Sequence, residues 1–159
     1  METKRPWRGG RRALARLGLA GAAWLALGTP AALAKDPVYT SAELALSGHD
    51  AVAYFREGKP VKGRAEHETH WAGARWRFAS AANRDAFTQS PERYAPQYGG
   101  YCAYAVSRNY TASADPAAWR IVGGKLYVNY SKAVQATWAQ DIPGNIERAD
   151  RNWPAVLAK

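Results

Sequence analysis

One spacing occurs twice along this chain and limits the folds that it can adopt. A glycine is followed seven residues later by a serine, and that serine seven residues later by a large aromatic residue: Gly73, Ser80 and Phe87, then Gly124, Ser131 and Trp138. Glycine favours tight hairpin turns, and serine favours the position just before a helix. The spacing predicts two units, 51 residues apart, each a β-hairpin followed by a helix. An internal repeat would explain this agreement, and so would a chance match between two segments that contain Gly and Ser. The sequence leaves both explanations open.

Polarity patterns and turn residues predict the individual elements. Alternating polarity indicates hairpin strands at 68–71 and 75–79, and again at 119–122 and 125–129. Helices are expected from Ser80 to about Ser90, from Pro91, from Ser131 through Trp138, and at 142–150. A short helix at 41–46 and an apolar strand or turn at 51–55 complete the pattern. We therefore predict a single small α+β domain in which two β-hairpins, forming a small antiparallel sheet, pack against helices.

The first 34 residues are typical of an export signal. A basic stretch ends at Arg16, an apolar stretch covers 17–27, and the small residues Ala32 and Ala34 stand where a signal peptidase reads the chain. We predict cleavage after Ala34, a periplasmic mature protein and no attachment to the membrane. An uncleaved anchor is the alternative, although the apolar stretch is shorter than the about 20 residues of a spanning helix. Arg11 and Arg12 also fit the twin-arginine pattern, and the choice between that route and general secretion stays open.

The net charge of +9 comes largely from this leader. Residues 1–34 hold six of the 22 basic residues and one of the 13 acidic ones, which leaves a net charge of +4 on the mature chain. That remainder has neither a Lys/Arg run nor an aromatic RNA-binding signature, so nucleic acid is not an expected partner. The motifs of serine hydrolases, zinc proteases and nucleotide-binding loops are also missing from the sequence.

Cys102 is the one thiol of the chain and lies in its most unusual stretch, between Gly99-Gly100 and Tyr104. A single cysteine excludes an internal disulfide and a metal site built from cysteines alone. A lone thiol in an oxidising compartment has three interpretations. It is a buried inert side chain, a thiolate metal ligand, or a redox thiol that needs access and a partner.

Three histidines are candidate ligands beside Cys102. His67 and His70 lie three residues apart, which on a strand points them to opposite faces and argues against a joint site. His49 precedes Asp50 in a separate segment. Cys102 with His49 or His70 would suit Cu(I) or Zn(II), because thiolate and imidazole are soft ligands. No spacing rule makes this set specific, and solvent-exposed structural histidines are the alternative.

Several segments together resemble a known family. They are Gly48-His49-Asp50-Ala51-Val52-Ala53-Tyr54-Phe55, Trp71 through Ser80, Pro91-Glu92, Tyr98-Gly99-Gly100-Tyr101-Cys102, Asp115-Pro116, Gly124 through Lys132, and Asn152-Trp153-Pro154. This pattern is similar to the exported YHS domain-containing (seleno)protein family and gives a YHS-like domain over residues 38–157. Ser80 keeps part of the name-giving pattern, whereas Asn83 stands where a histidine is often found.

The resemblance implies a metal-associated module and a chemical role for Cys102. Related members can carry selenocysteine at the position of Cys102, and an exchange of sulfur for selenium favours chemistry over packing. We therefore expect a periplasmic protein that binds a soft metal ion, copper or zinc, through Cys102 with His49 or His70. The alternatives are a thiol-redox protein with a thiol partner, and an interaction module without chemistry. Whether the protein is an enzyme, and its oligomeric state, stay open.

Overall fold

The computed structural model describes residues 34–159, so the predicted export signal lies outside the described residues except for Ala34. The strands are β1 (Thr40–Ser41), β2 (Leu44–Ala45), β3 (Arg64–Trp71), β4 (Ala74–Phe78), β5 (Asp115–Val122) and β6 (Lys125–Asn129). The helices are α1 (Ala53–Arg56), α2 (Ala81–Gln89), α3 (Pro91–Tyr94), α4 (Ala103–Ser107), α5 (Lys132–Trp138) and α6 (Ile142–Asn152). Within residues 34–159, each helix is too short or too polar to cross a bilayer.

The strands form two small sheets, which confirms the predicted α+β fold. β3 and β4 make an antiparallel hairpin, and β2 extends this sheet by pairing parallel to β4, with β1 at the edge. β5 and β6 form a separate antiparallel pair. The two hairpins are thus the predicted ones, and the parallel β2–β4 pairing is a feature that the local sequence pattern did not indicate.

The predicted internal repeat is present in the structure. Both hairpins change register at matching places, between Arg64 and Glu68 and again, 51 positions on, between Asp115 and Trp119. Ser80 Oγ accepts the amide of Asn83 at 3.2 Å, and Ser131 Oγ accepts the amide of Val134 at 3.2 Å. We call residues 46–94 the first repeat and residues 98–145 the second repeat.

The repeat also includes the segment before each hairpin, where equivalent residues of the two copies lie 52 rather than 51 positions apart. Three consecutive residues have positive φ in each copy, with φ values of 49°, 50° and 76° at 46–48 and of 55°, 60° and 81° at 98–100. The amide of Asp50 then donates to Val61 O at 2.9 Å, and the amide of Cys102 donates to Ala112 O at 3.0 Å. Cys102 is therefore the structural counterpart of Asp50.

Each repeat has its own aromatic core. Trp76 and Phe87 pack with ring centroids 4.8 Å apart, and their counterparts Tyr127 and Trp138 pack at 5.5 Å with nearly the same interplanar angle. Large buried aromatic rings supply much of the apolar area in a domain of this size. The hairpin and its helix are held together in the same way in both copies.

Asp50 is a fully buried carboxylate that joins three parts of the first repeat. Its Oδ1 accepts the amides of Val52 and Ala53 at 2.8 and 3.2 Å, where α1 begins. Its Oδ2 accepts the amide of Ala79 at 2.8 Å and Nδ2 of Asn83 at 2.7 Å. Four N–H donors satisfy the buried carboxylate, as a charge removed from water requires.

One short prediction is wrong, and one of the two alternatives for another is excluded. Residues 41–46 are not a helix, because Ala42, Glu43 and Leu46 have positive φ and the chain reverses there between β1 and β2. Of the strand and the turn predicted as alternatives for 51–55, the strand is wrong. Residues 51–52 form a turn that leads into α1, where the Asp50 carboxylate accepts the amides of Val52 and Ala53.

Replacing the buried carboxylate by its neutral isostere tests its structural role. Asp50→Asn puts an N–H donor against groups that are themselves donors, so we expect a loss of about 3 kcal/mol in the free energy of unfolding. Chemical denaturation measures this, with Asp85→Asn as the control because Asp85 is exposed beside Arg84 and should cost under about 0.5 kcal/mol. Equal effects of the two substitutions would contradict the role given to Asp50.

Candidate thiol site

Cys102 is held at a sharp backbone turn between a 3-10 turn at Gln97–Gly100 and α4. Gly99 has a φ of 60°, and a Cβ on it would lie 1.9 Å from the carbonyl oxygen of Pro37. Glycine is required here because the N-terminal segment crosses directly over it, with the Tyr39 amide donating to Gly99 O at 2.9 Å. This fixed turn sets the position of Cys102 rather than leaving it on a free loop.

Cys102 contributes to the wall of a cavity of about 290 Å³ that is partly open to solvent. The other lining residues are aromatic or aliphatic: Tyr104, Ala105, Tyr110, Ala112, Tyr130 and Val134. Only 1% of the surface of Cys102 is exposed, whereas Tyr110 and Tyr130 are about half exposed. The thiol therefore lies at the inner end of a small hollow with tyrosines at its rim, a place that a small uncharged molecule suits.

Asn129, at the end of β6, is the polar partner of the thiol. Its Oδ1 lies 3.7 Å from Cys102 Sγ and accepts the Tyr104 amide at 3.2 Å. Because the Tyr104 amide can only donate, the oxygen of the Asn129 side chain is the atom that faces it. Asn129 is fully buried, and its Nδ2 has no hydrogen-bond partner among residues 34–159. A buried donor without an acceptor is costly and uncommon in folded proteins.

The nearest cation along the chain is engaged at the surface. The Arg108 guanidinium lies 5.0 Å from the centroid of the Tyr104 ring and donates to the Tyr104 hydroxyl at 3.0 Å. This cation–π contact holds Tyr104, one of the lining residues, in place. The cavity wall formed by the described residues contains no charged side chain.

The predicted histidine ligands lie outside the cavity of Cys102. His49 is partly buried, with Nδ1 at 3.0 Å from Leu46 O, and burial lowers the pKa of its imidazole below the ordinary value of 6.5. His70 is exposed on β3 and borders a different hollow with Glu43 and Arg75. The structure places Cys102, His49 and His70 in three separate surroundings, and their assignment as metal ligands stays a prediction.

The side chains present do not fit a resident metal ion. Structural zinc sites use four protein ligands, and catalytic zinc sites three. Residues 34–159 contain no group of three or more His, Cys, Asp or Glu side chains close enough to share an ion. The Cys102 cavity offers one sulfur ligand and otherwise tyrosine, alanine and valine. An ion at Cys102 would need ligands from elsewhere.

A larger cleft of about 490 Å³ lies on another face, between Trp71, Trp76 and Trp153. None of the residues predicted as site residues from the sequence borders it. We place the candidate site at the smaller cavity because the reactive group of this chain is there.

The sequence identified Cys102 but missed the groups around it. Asn129 ends the second hairpin, Tyr130 and Val134 follow it, and all three approach Cys102 only after folding. The available signal was the repeat itself, since an alignment of the two copies pairs Cys102 with Asp50 and Val134 with Asn83. Asn83, at the position where a histidine is often found, is a structural donor to Asp50 in this chain.

Comparison with known protein families gives one match. The family described as the YHS domain matches residues 52–98, which run from the start of α1 to the turn before Cys102. This chain contains a YHS domain. The matched YHS segment covers most of the first repeat, and Cys102 lies four residues beyond it, in the second. Neither the curated proteins nor the solved structures gave a match.

Proposed function

We propose that this chain is a periplasmic YHS-domain protein that acts through thiol-redox chemistry at Cys102. The observation that carries this proposal is the position of Cys102 at the inner end of an open cavity that, among the described residues, lacks a second cysteine and a metal-ligand set. The cavity gives a small oxidant a route to the thiol, and access is what thiol-redox chemistry requires.

The chemistry needs a hydroperoxide and an external thiol. The Cys102 thiolate attacks one peroxide oxygen, an S–O bond forms as the O–O bond breaks, and the other oxygen leaves as water or an alcohol once protonated. Sulfur gives up two electrons in this step. An external thiol then displaces the oxygen as water and forms a mixed disulfide, since the chain has no second cysteine to resolve it.

Trapping the sulfenic acid tests this proposal. The purified protein, treated with hydrogen peroxide and a 1,3-diketone that reacts with sulfenic acids, should gain one adduct on Cys102, because the cavity admits both small reagents. Mass spectrometry of the intact chain and its peptides measures the adduct, and Cys102→Ser should give none. Reaction only after unfolding in urea would show an inert buried thiol and would favour the interaction-module alternative.

A soft metal ion as cargo is the second candidate. YHS domains are associated with metal binding, and a thiolate is the preferred ligand of Cu(I) and one ligand of Zn(II). With one sulfur from this chain, the remaining ligands would come from a donor or acceptor protein, so binding would be transient. His49 and His70 are the ligands that the sequence suggested for the same ion.

Thermal unfolding with and without metal separates the two candidates. If an ion binds at Cys102, Cu(I) or Zn(II) raises the melting temperature of the wild type and leaves that of Cys102→Ser unchanged. At a free metal concentration of about 100 times Kd, the expected stabilisation of the wild type is about 2.7 kcal/mol. His49→Gln and His70→Gln should keep the shift, because neither histidine borders the cavity. An unchanged midpoint in the wild type would remove metal carriage at this site.

Export to the periplasm rests on residues 1–34 of the sequence. When the full chain is expressed in a bacterium, N-terminal sequencing of the periplasmic protein should begin at Lys35. Replacing Arg11 and Arg12 together by Lys keeps the charge but removes the twin-arginine pair. Export should stop only if that route is used. Recovery of the full-length chain in the membrane fraction would contradict cleavage.

A further inference from the structure

Cys102 occupies the position in the second repeat that Asp50, a hydrogen-bonded carboxylate, occupies in the first. Asp50 and Cys102 both follow three residues of positive φ by one position, and both donate their amide to the same carbonyl position of the next segment, Val61 and Ala112. Each is followed by a helical turn with matching hydrogen bonds, Arg56 N to Val52 O at 3.1 Å and Arg108 N to Tyr104 O at 3.2 Å. These backbone hydrogen bonds correspond in the two copies.

All four groups that hold the Asp50 carboxylate have counterparts on the wall of the Cys102 cavity. In the first repeat the donors belong to Val52, Ala53, Ala79 and Asn83. In the second repeat the equivalent residues are Tyr104, Ala105, Tyr130 and Val134, and every one of them lines the cavity. Three of these four first-repeat contacts are backbone amides. In the second repeat the Tyr104 amide donates to Asn129 Oδ1 and Val134 has no side-chain donor, so the amides of Ala105 and Tyr130 are the counterparts left for an anion. The cavity is thus the space that a carboxylate fills in the other copy.

Asn129 adds a donor that has no counterpart in the first repeat, where Phe78 holds its position. Its Oδ1 takes the Tyr104 amide, as Asp50 Oδ1 takes the amide of Val52. Its Nδ2 is buried and unpartnered among the described residues, and it belongs to the same amide group as the oxygen that contacts the sulfur. An oxygen bonded to that sulfur would supply the missing acceptor.

We propose that the second repeat is built to hold an oxidised, anionic form of Cys102, in which oxygens on sulfur take the place of the Asp50 carboxylate oxygens. The sulfenate carries one such oxygen. The sulfinate carries two and matches a carboxylate in charge and in its number of oxygens, although its sulfur is pyramidal where the carboxylate carbon is planar. This inference rests on the redox function proposed for Cys102 and names its oxidant class as small hydroperoxides.

Each oxidation step balances with hydroperoxide alone. The first transfers one oxygen to the thiolate and the second transfers one more to the sulfenate, and in each an S–O bond forms, an O–O bond breaks and sulfur gives up two electrons. The leaving oxygen departs as water or alcohol. The uncharged lining of tyrosine, alanine and valine favours a neutral hydroperoxide over a charged oxidant.

A carboxylate substituted at Cys102 tests the binding site without any oxidation. Cys102→Asp should fold and should melt at least about 3 °C above Cys102→Asn, because N–H donors favour the anion over the neutral amide of the same shape. At an ordinary apolar position, the cost of burying a charge makes the aspartate variant melt below the asparagine variant. Val106→Asp and Val106→Asn, at a fully buried position in α4, are the matched control pair, and there the aspartate should be the less stable.

The wild type provides a second readout. The mature chain has one cysteine and no methionine, since the only Met is Met1, so limited peroxide treatment oxidises sulfur only at Cys102. Protein carrying two added oxygens by mass should melt above the reduced protein, and Cys102→Ser treated in parallel should not shift.

The outcomes separate this inference from the proposed function. An unfolded Cys102→Asp, or one that melts below Cys102→Asn, overturns the inference even if Cys102 reacts with peroxide. A sulfinate that lowers the melting temperature does the same. A stable Cys102→Asp with a native thiol that resists peroxide supports the anion site and overturns the redox function.

Discussion

The first repeat depends on one buried carboxylate. Asp50 is out of contact with water, and its stability comes from four N–H donors that belong to the start of α1, to the residue after β4 and to Asn83 on α2. Removing a charge from water is unfavourable unless such donors are in place, so the carboxylate and the elements around it specify one another. Arg56 extends the network by donating to Asn83 Oδ1 at 2.7 Å. Asp50 lies two residues before the matched YHS segment, and all four of its donors lie within that segment.

The second repeat keeps the backbone of this arrangement and changes its chemistry. Cys102 replaces the carboxylate, Val134 replaces the amide donor, and Asn129 enters from β6 to receive the Tyr104 amide. A side chain of one sulfur atom fills less space than a carboxylate, which leaves the cavity. A duplicated fold can thus use one copy for stability and free the equivalent position of the other copy for chemistry.

The sequence predicted the parts of the fold that local signals determine. Gly73 and Gly124 mark the hairpins, and Ser80 and Ser131 mark the helix starts, because these residues act through their own backbone and side chain. The error at 41–46 arises at a chain reversal beside β4. At 51–55 the choice between strand and turn depends on Asp50, whose carboxylate accepts the amides of Val52 and Ala53 and starts α1. Cys102 was visible as an unusual residue, but Asn129 lies 27 residues further on, and no local pattern joins the two.

A high-resolution crystal structure of the peroxide-treated protein, with its two repeats superposed, tests the central claim most directly. The account predicts that the oxygens on Cys102 Sγ coincide with the Asp50 carboxylate oxygens to within about 1 Å and lie within hydrogen-bond distance of Asn129 Nδ2 and the surrounding amides. Oxygens directed away from these donors into solvent, or a thiol left unmodified while other side chains are oxidised, would contradict it.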